Sequence, residues 1–232
     1  MDKELISGFT MRRRFMGNRS SVPVSYTFHD WIQCDETVNT SYINTELIPN
    51  LSNDWTFEGS FARTTSIPSD YNKRALFMRL LSEGYSCNYG ILYRAKNEST
   101  IVFNYNSRYN NESYAGVAST SIIIGEWHTF QLTSDPDVDY GGKCTIDGGD
   151  AIIYNDARPN SNTTAEMVLL CGYPCRFGRF KAYYQGNLVA DMIPATRDTD
   201  NAVGMYDVVR KKFFQPIGTS SFTCGDGLTN FF

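Results

Sequence analysis

At 232 residues with a formal charge of -4, the chain is long enough for one large core, and its mild acidity gives no global pull toward nucleic acid or an acidic membrane surface. Aromatics make up 14% of it, with Tyr and Phe at 15 each, a weight that favours sheet.

The first ~25 residues, "MDKELISGFTMRRRFMGNRSS" and their continuation, hold no apolar run long enough for a signal peptide or a membrane span. Cytoplasmic synthesis without membrane insertion is the expectation. Arg12, Arg13, Arg14 and Arg19 stand beside Phe9, Met11, Phe15 and Met16. The apolar side chains are too few for a core. The mixture reads as an arm over residues 1–25 that docks on a partner, with apolar anchors in pockets and guanidinium groups on carboxylates.

From residue 26 to 232 the dominant pattern is short alternating strands separated by Gly, Pro, Asn, Asp and Ser clusters. "SYINTELI" (41–48) alternates Tyr42, Asn44 and Glu46 with Ile43, Thr45 and Leu47. "DWTFEGSFART" (54–64) sets Trp55, Phe57 and Phe61 among polar residues, with Gly59 as a candidate bulge. Further strands are predicted in "RALFMRLL", "YGILYRA", "TIVFNY", "WHTFQL", "KCTIDG", "AIIYN", "EMVLL", "RFKAYY", "LVADMI" and "KKFFQPI". More than ten such runs without an amphipathic helix predict a single all-β domain of two antiparallel sheets packed face to face. Near the end, Pro194 is expected at a strand end, followed by a hairpin that presents Tyr206, Val208 and Phe213 to the core.

"GEWHTFQL" (125–132) places Glu126 and His128 on either side of Trp127. A carboxylate and an imidazole two residues apart resemble acid/base equipment. On a strand, however, His128 shares its face with Phe130 and Leu132, and the expected role is that of a hydrogen-bonded sheet residue. Retaining hydrolysis needs two carboxyl groups ~5 Å apart on one face. Glu46, Glu58 and Glu126 each lack such a partner in the sequence, and there is no G-x-S-x-G elbow. Asp135, Asp137 and Asp139 in "DPDVDYGG" look like half of an EF-hand loop, yet Tyr140 replaces the required Gly and Ile146 sits where the bidentate Glu belongs. A Ca2+ ion has oxygen ligands there, but a solvated acidic turn is favoured, so no cofactor is expected. Of the six cysteines, only Cys171 and Cys175 are close, and reduced, buried thiols are expected in place of a zinc site.

The order of features resembles a known group. A strand "GEWHTFQL", a loop and a strand ending in "TIDGG" resemble the central hairpin of laminin-G-like and concanavalin-like lectin domains. "CDETVNTSYINTELIPN" and "FGRFKAYYQGNLVADMIPATRDTDNAVGMYDVVRKKFFQPIGTSSFTCG" are similar to the entry strand and C-terminal signature of members encoded by phages and prophages of gut bacteria. The resemblance covers about residues 30 to 225 and implies a concanavalin-like antiparallel β-sandwich (jelly roll) behind a short N-terminal arm.

It also implies a virion structural protein: capsid decoration, head fibre or tail component. Its expected partners are other virion proteins and copies of itself. The alternative is a glycan-binding adhesin, in which loop tyrosines (Tyr71, Tyr85, Tyr89, Tyr109, Tyr114 and Tyr140) stack on the sugars of a host surface while Asn and Asp bond to hydroxyls.

Overall fold

The computed structural model describes residues 24–34, 41–49, 54–64, 75–81, 90–93, 101–104, 117–118, 123–135, 141–154, 166–172 and 175–225. The first half holds β1 (Tyr26–Phe28), β2 (Ile32–Cys34), β3 (Tyr42–Asn44), β4 (Trp55–Arg63), β5 (Ala75–Leu81), β6 (Gly90–Tyr93), β7 (Ile101–Asn104) and β8 (Val117–Ala118). β9 (Trp127–Asp135), β10 (Gly141–Ile146), β11 (Ile152–Tyr154), β12 (Glu166–Gly172) and β13 (Cys175–Tyr184) follow. The chain closes with β14 (Asn187–Arg197), β15 (Ala202–Asp207), β16 (Lys212–Phe214), β17 (Pro216–Ile217) and β18 (Phe222–Cys224).

These strands form two antiparallel sheets. The larger runs β11-β10-β9-β4-β13-β14-β15-β16, with β1 on β14, β2 on β13 and β18 on β2. The smaller runs β17-β3-β12-β5-β6-β7-β8. One core joins them: Phe57, Phe61, Phe130, Phe177 and Phe180 of the larger sheet are buried with Ile43, Met78, Met167 and Leu169 of the smaller. The predicted all-β, antiparallel sandwich is therefore the architecture observed.

Period-two alternation does most of the placing. Trp55, Phe57 and Phe61 point inward, as do His128, Phe130 and Leu132 on the neighbouring strand. The rings follow one another within and across strands, by centroid distance: Trp55 to Phe57 (5.6 Å), Phe57 to Phe180 (6.1 Å), Phe180 to Phe177 (6.3 Å), Phe177 to Phe130 (6.2 Å) and Phe130 to Phe61 (6.3 Å). Each such pair adds about 0.5–1.5 kcal/mol beyond its area burial. The alternation of residues 41–48 also holds, with Ile43, Thr45 and Leu47 buried, although β3 spans only Tyr42–Asn44 because Glu46 takes a positive φ of 55°.

Three expectations are corrected. Gly59 lies in an unbroken β4–β9 register; it is small because the Phe130 ring occupies the space a Cβ would need. The irregularity falls on the facing strand, between Phe177 and Phe180. Pro194 sits within β14 and not at its end. Its missing N–H is tolerated because the strand changes partner there, from β13 up to Met192 to β1 from Ala195. Finally, the core receives Met205, Asp207 and Phe214, whereas Val208 is exposed and Tyr206 and Phe213 pack on Tyr26 outside it.

The last correction has a polar cause. Asp207 is fully buried, accepting from the backbone N–H groups of Asp191, Val209 and Arg210 and from the Arg210 side chain. Arg210 reaches on to the Thr45 carbonyl at 2.7 Å. The β15–β16 hairpin of the larger sheet is thereby clipped to the end of β3 in the smaller.

Candidate functional site

His128 finds its carboxylate in Asp147, not in Glu126, which is exposed ahead of β9. Its Nδ1 donates to Asp147 Oδ2 at 2.7 Å, while Oδ1 accepts from the Thr129 N–H at 2.7 Å and from the Thr129 hydroxyl at 3.3 Å. Asp147 and Gly148 take positive φ values of 51° and 66°, and Gly149 N–H closes the turn on the Ile146 carbonyl. This is the geometry for which an Asp-Gly pair is selected. Partial burial alone would raise the Asp147 carboxyl, but the bonds from His128 and Thr129 outweigh it and hold the group below the ordinary carboxylate value. Among the described residues the His128 Nε2 is buried without a hydrogen-bond partner, and the ring lies 5.7 Å from that of Phe61. The pair pins the hairpin, and the imidazole is buried beside the core.

The opposite face of the larger sheet is different. Register aligns Thr145, Gln131, Glu58, Lys181 and Asp191 in one row across β10, β9, β4, β13 and β14. The next row carries Lys143, Thr133, Thr56, Tyr183 and Leu188. Glu58 accepts from Gln131 Nε2 at 3.0 Å and from the Tyr183 hydroxyl at 3.3 Å. Partial burial and the nearby Glu58 carboxylate raise the Tyr183 phenol above its ordinary value, so it stays a neutral donor. Arg179 clamps Asp191 through two bonds of 2.6 Å.

Toward the other end of the same face, a row runs from Trp127 through Ala62, Arg176 and Gln33 to Thr223. The Arg176 guanidinium lies 4.3 Å from the centroid of the Trp31 ring, and its Nε donates to Gln33 Oε1 at 3.1 Å. A Cβ at Gly225 would overlap the Nε1 edge of that ring, so the backbone passes beside Trp31 there only as glycine.

The irregularity in β13 brings this surface together. Arg176 and Lys181 are five residues apart and would face opposite ways on a regular strand. They lie opposite Ala62 and Glu58, four residues apart, because one extra residue is accommodated between Phe177 and Phe180. Both cations therefore emerge on the outer face. At Gly178 a Cβ would overlap Ser60 Oγ, so any side chain at the bulge requires Ser60 to move.

The arm residues Phe9, Met11, Arg12, Arg13, Arg14, Phe15 and Arg19 lie outside the described residues, as do Tyr71, Tyr85, Tyr89, Tyr109, Tyr114, Tyr140, Asp137 and Asp139. Asp135 ends β9, paired with Gly141. Among the described residues no three His, Cys, Asp or Glu side chains group as metal ligands, and no helix is long and apolar enough to cross a membrane. Cys171 and Cys175 belong to different sheets, through β12 and β13, and Cys175 lies opposite Cys34. Burial pushes the Cys144 thiol up, and the Cys224 thiol up to about 12, so neither is a nucleophile at neutral pH.

Comparison with known proteins finds no matching family model and no matching curated protein. Solved structures do match in part. The potassium-bound Emp46p carbohydrate recognition domain aligns at TM-score 0.44 and 14% identity over 71% of this chain and 89% of that one. The carbohydrate binding module CBM66 from Bacillus subtilis aligns at 0.41 and 13% over 70% and 92%. A Trypanosoma rangeli sialidase aligns at 0.40 and 12% over 60% of this chain, but the match spans only 21% of the sialidase. At such scores and identities these likenesses assign neither ligand nor activity.

Proposed function

We propose that this chain is a glycan-binding β-sandwich module that acts without catalysis, and that its ligand lies across the outer face of the larger sheet. The observation that carries this is the Trp31–Arg176–Gln33 cluster, in line with Trp127 and one end of a face whose other rows are amides, hydroxyls and charges. Sugars are recognised by aromatic faces combined with a few fixed donors and acceptors, and this surface offers both on rigid strands. The carboxylates Glu58 and Asp191 are already engaged, one by an amide and a phenol and the other by an arginine, which suits positioning better than proton transfer.

The test is retention of the full chain by a panel of immobilised polysaccharides, with release of reducing ends measured in parallel. Retention without release, lost in Trp31→Ala and Gln131→Ala while thermal unfolding stays cooperative, is expected. No retention, or sugar release that depends on Glu58, would contradict the proposal.

The sequence resemblance extends the reading to a phage particle, with the arm of residues 1–25 anchoring the chain on capsid or tail and the sandwich displayed outward. The arm's arginines and apolar anchors support that placement. Reversing the charge of Arg12, Arg13 and Arg14 is expected to block incorporation into particles without unfolding the sandwich.

A further inference from the structure

Resting on the glycan-binding reading, we infer that the face selects carboxylated sugars, such as uronic acids, and that Arg176 is the residue that reads the carboxylate. A guanidinium carries five N–H donors. Arg176 spends the one on Nε on Gln33, and its plane is held against Trp31. Among the described residues no acceptor takes the Nη groups. Those donors remain to pair bidentately with a carboxylate. Because the ring and the amide already fix the side chain, little rotamer entropy remains to be lost on binding.

The surrounding charge agrees. The chain as a whole carries -4, yet Lys181 on the same face has no ion-pair or hydrogen-bond partner among the described residues. The β13 bulge sets Lys181 four β4 positions from Arg176, about 13 Å along the strand. Glu58 opposes Lys181 across the register and offsets it locally, while Lys143 stands at the far edge of the face, on β10, which leaves Arg176 the cation nearest the tryptophans. A polymer with a carboxylate on successive rings meets both. The ring of Trp127, in the same row as Arg176 two strands away beyond Ala62, adds an apolar surface beside the arginine.

The experiment is titration calorimetry of the full chain with oligogalacturonate, its methyl ester and poly-L-glutamate. Oligogalacturonate is expected to bind, the ester about tenfold or more weakly, and poly-L-glutamate little, since losing one charge-assisted fork costs that much. Arg176→Gln is expected to reproduce the loss. Arg176→Lys, which keeps the charge and guards against a folding artefact, is expected to lose most of it too, because an ammonium cannot make two parallel bonds. Lys181→Gln is expected to lose less. Equal binding of acid and ester, unchanged in Arg176→Gln, would overturn the inference while leaving a neutral-glycan module standing. Equal binding of poly-L-glutamate would overturn it in favour of an acidic protein partner. Failure of every saccharide would remove the glycan reading with it.

Discussion

Asp147 illustrates how one side chain does two jobs: it allows the left-handed turn and ties it to β9 through His128 and Thr129. Its carboxyl is held below the ordinary value of 3.8. A depressed folded-state value means that the stabilisation is present above the unfolded value and is lost as pH falls through the folded one. Asn tolerates the same backbone conformation, so Asp147→Asn isolates the charge. With the side chain 46% exposed, the cost at pH 7 is expected to stay within about 1 kcal/mol. Urea midpoints of the two proteins should approach each other as the pH drops below 3.8 and meet below the depressed value; a difference that persists there would mean that the charge is not what matters. The inward position of His128 was legible from its alternation with Phe130 and Leu132. Its partner was not, because nineteen residues separate them and only the turn brings them together.

Among the elements, β13 shows what a sequence encodes without announcing it. In "CRFGRFKAYY" the buried positions Cys175 and Phe177 give way to Phe180 and Ala182, so the parity of the apolar residues switches across Gly178-Arg179. That switch marks a bulge, and reading it would have placed Arg176 and Lys181 on one face. The β15–β16 hairpin misleads for the opposite reason: a buried Asp207 occupies an inward position, and counting apolar residues alone shifts the register by one. A close approach also makes the bulge testable. Gly178→Ala is expected to destabilise by about 1–3 kcal/mol through overlap with Ser60 Oγ. Ser60→Ala in the same chain should restore most of it, a coupling that a double-mutant cycle in urea measures directly. Additive effects would show that Ser60 is not the obstacle.

For the molecule as a whole, the fold was the most legible part, since composition and period-two patterning survive without knowledge of which strands pair. The binding face was largely hidden. Its residues come from β2, β4, β9 and β13 and meet only through register; the one sequence clue was Trp127, an aromatic alternating with the polar Thr129 and Gln131. The chain's three tryptophans make that face observable. Trp31 and Trp127 belong to it, whereas Trp55 is in the core with its Nε1 buried and, among the described residues, without a hydrogen-bond partner. The most direct measurement is therefore the nitrogen–proton spectrum of the three indoles, assigned by single Trp→Phe substitutions and followed as oligogalacturonate is added. The resonances of Trp31 and Trp127 are predicted to move in step with saturation while that of Trp55 stays in place; saturable binding that leaves Trp31 and Trp127 unmoved would put the site elsewhere and contradict the account.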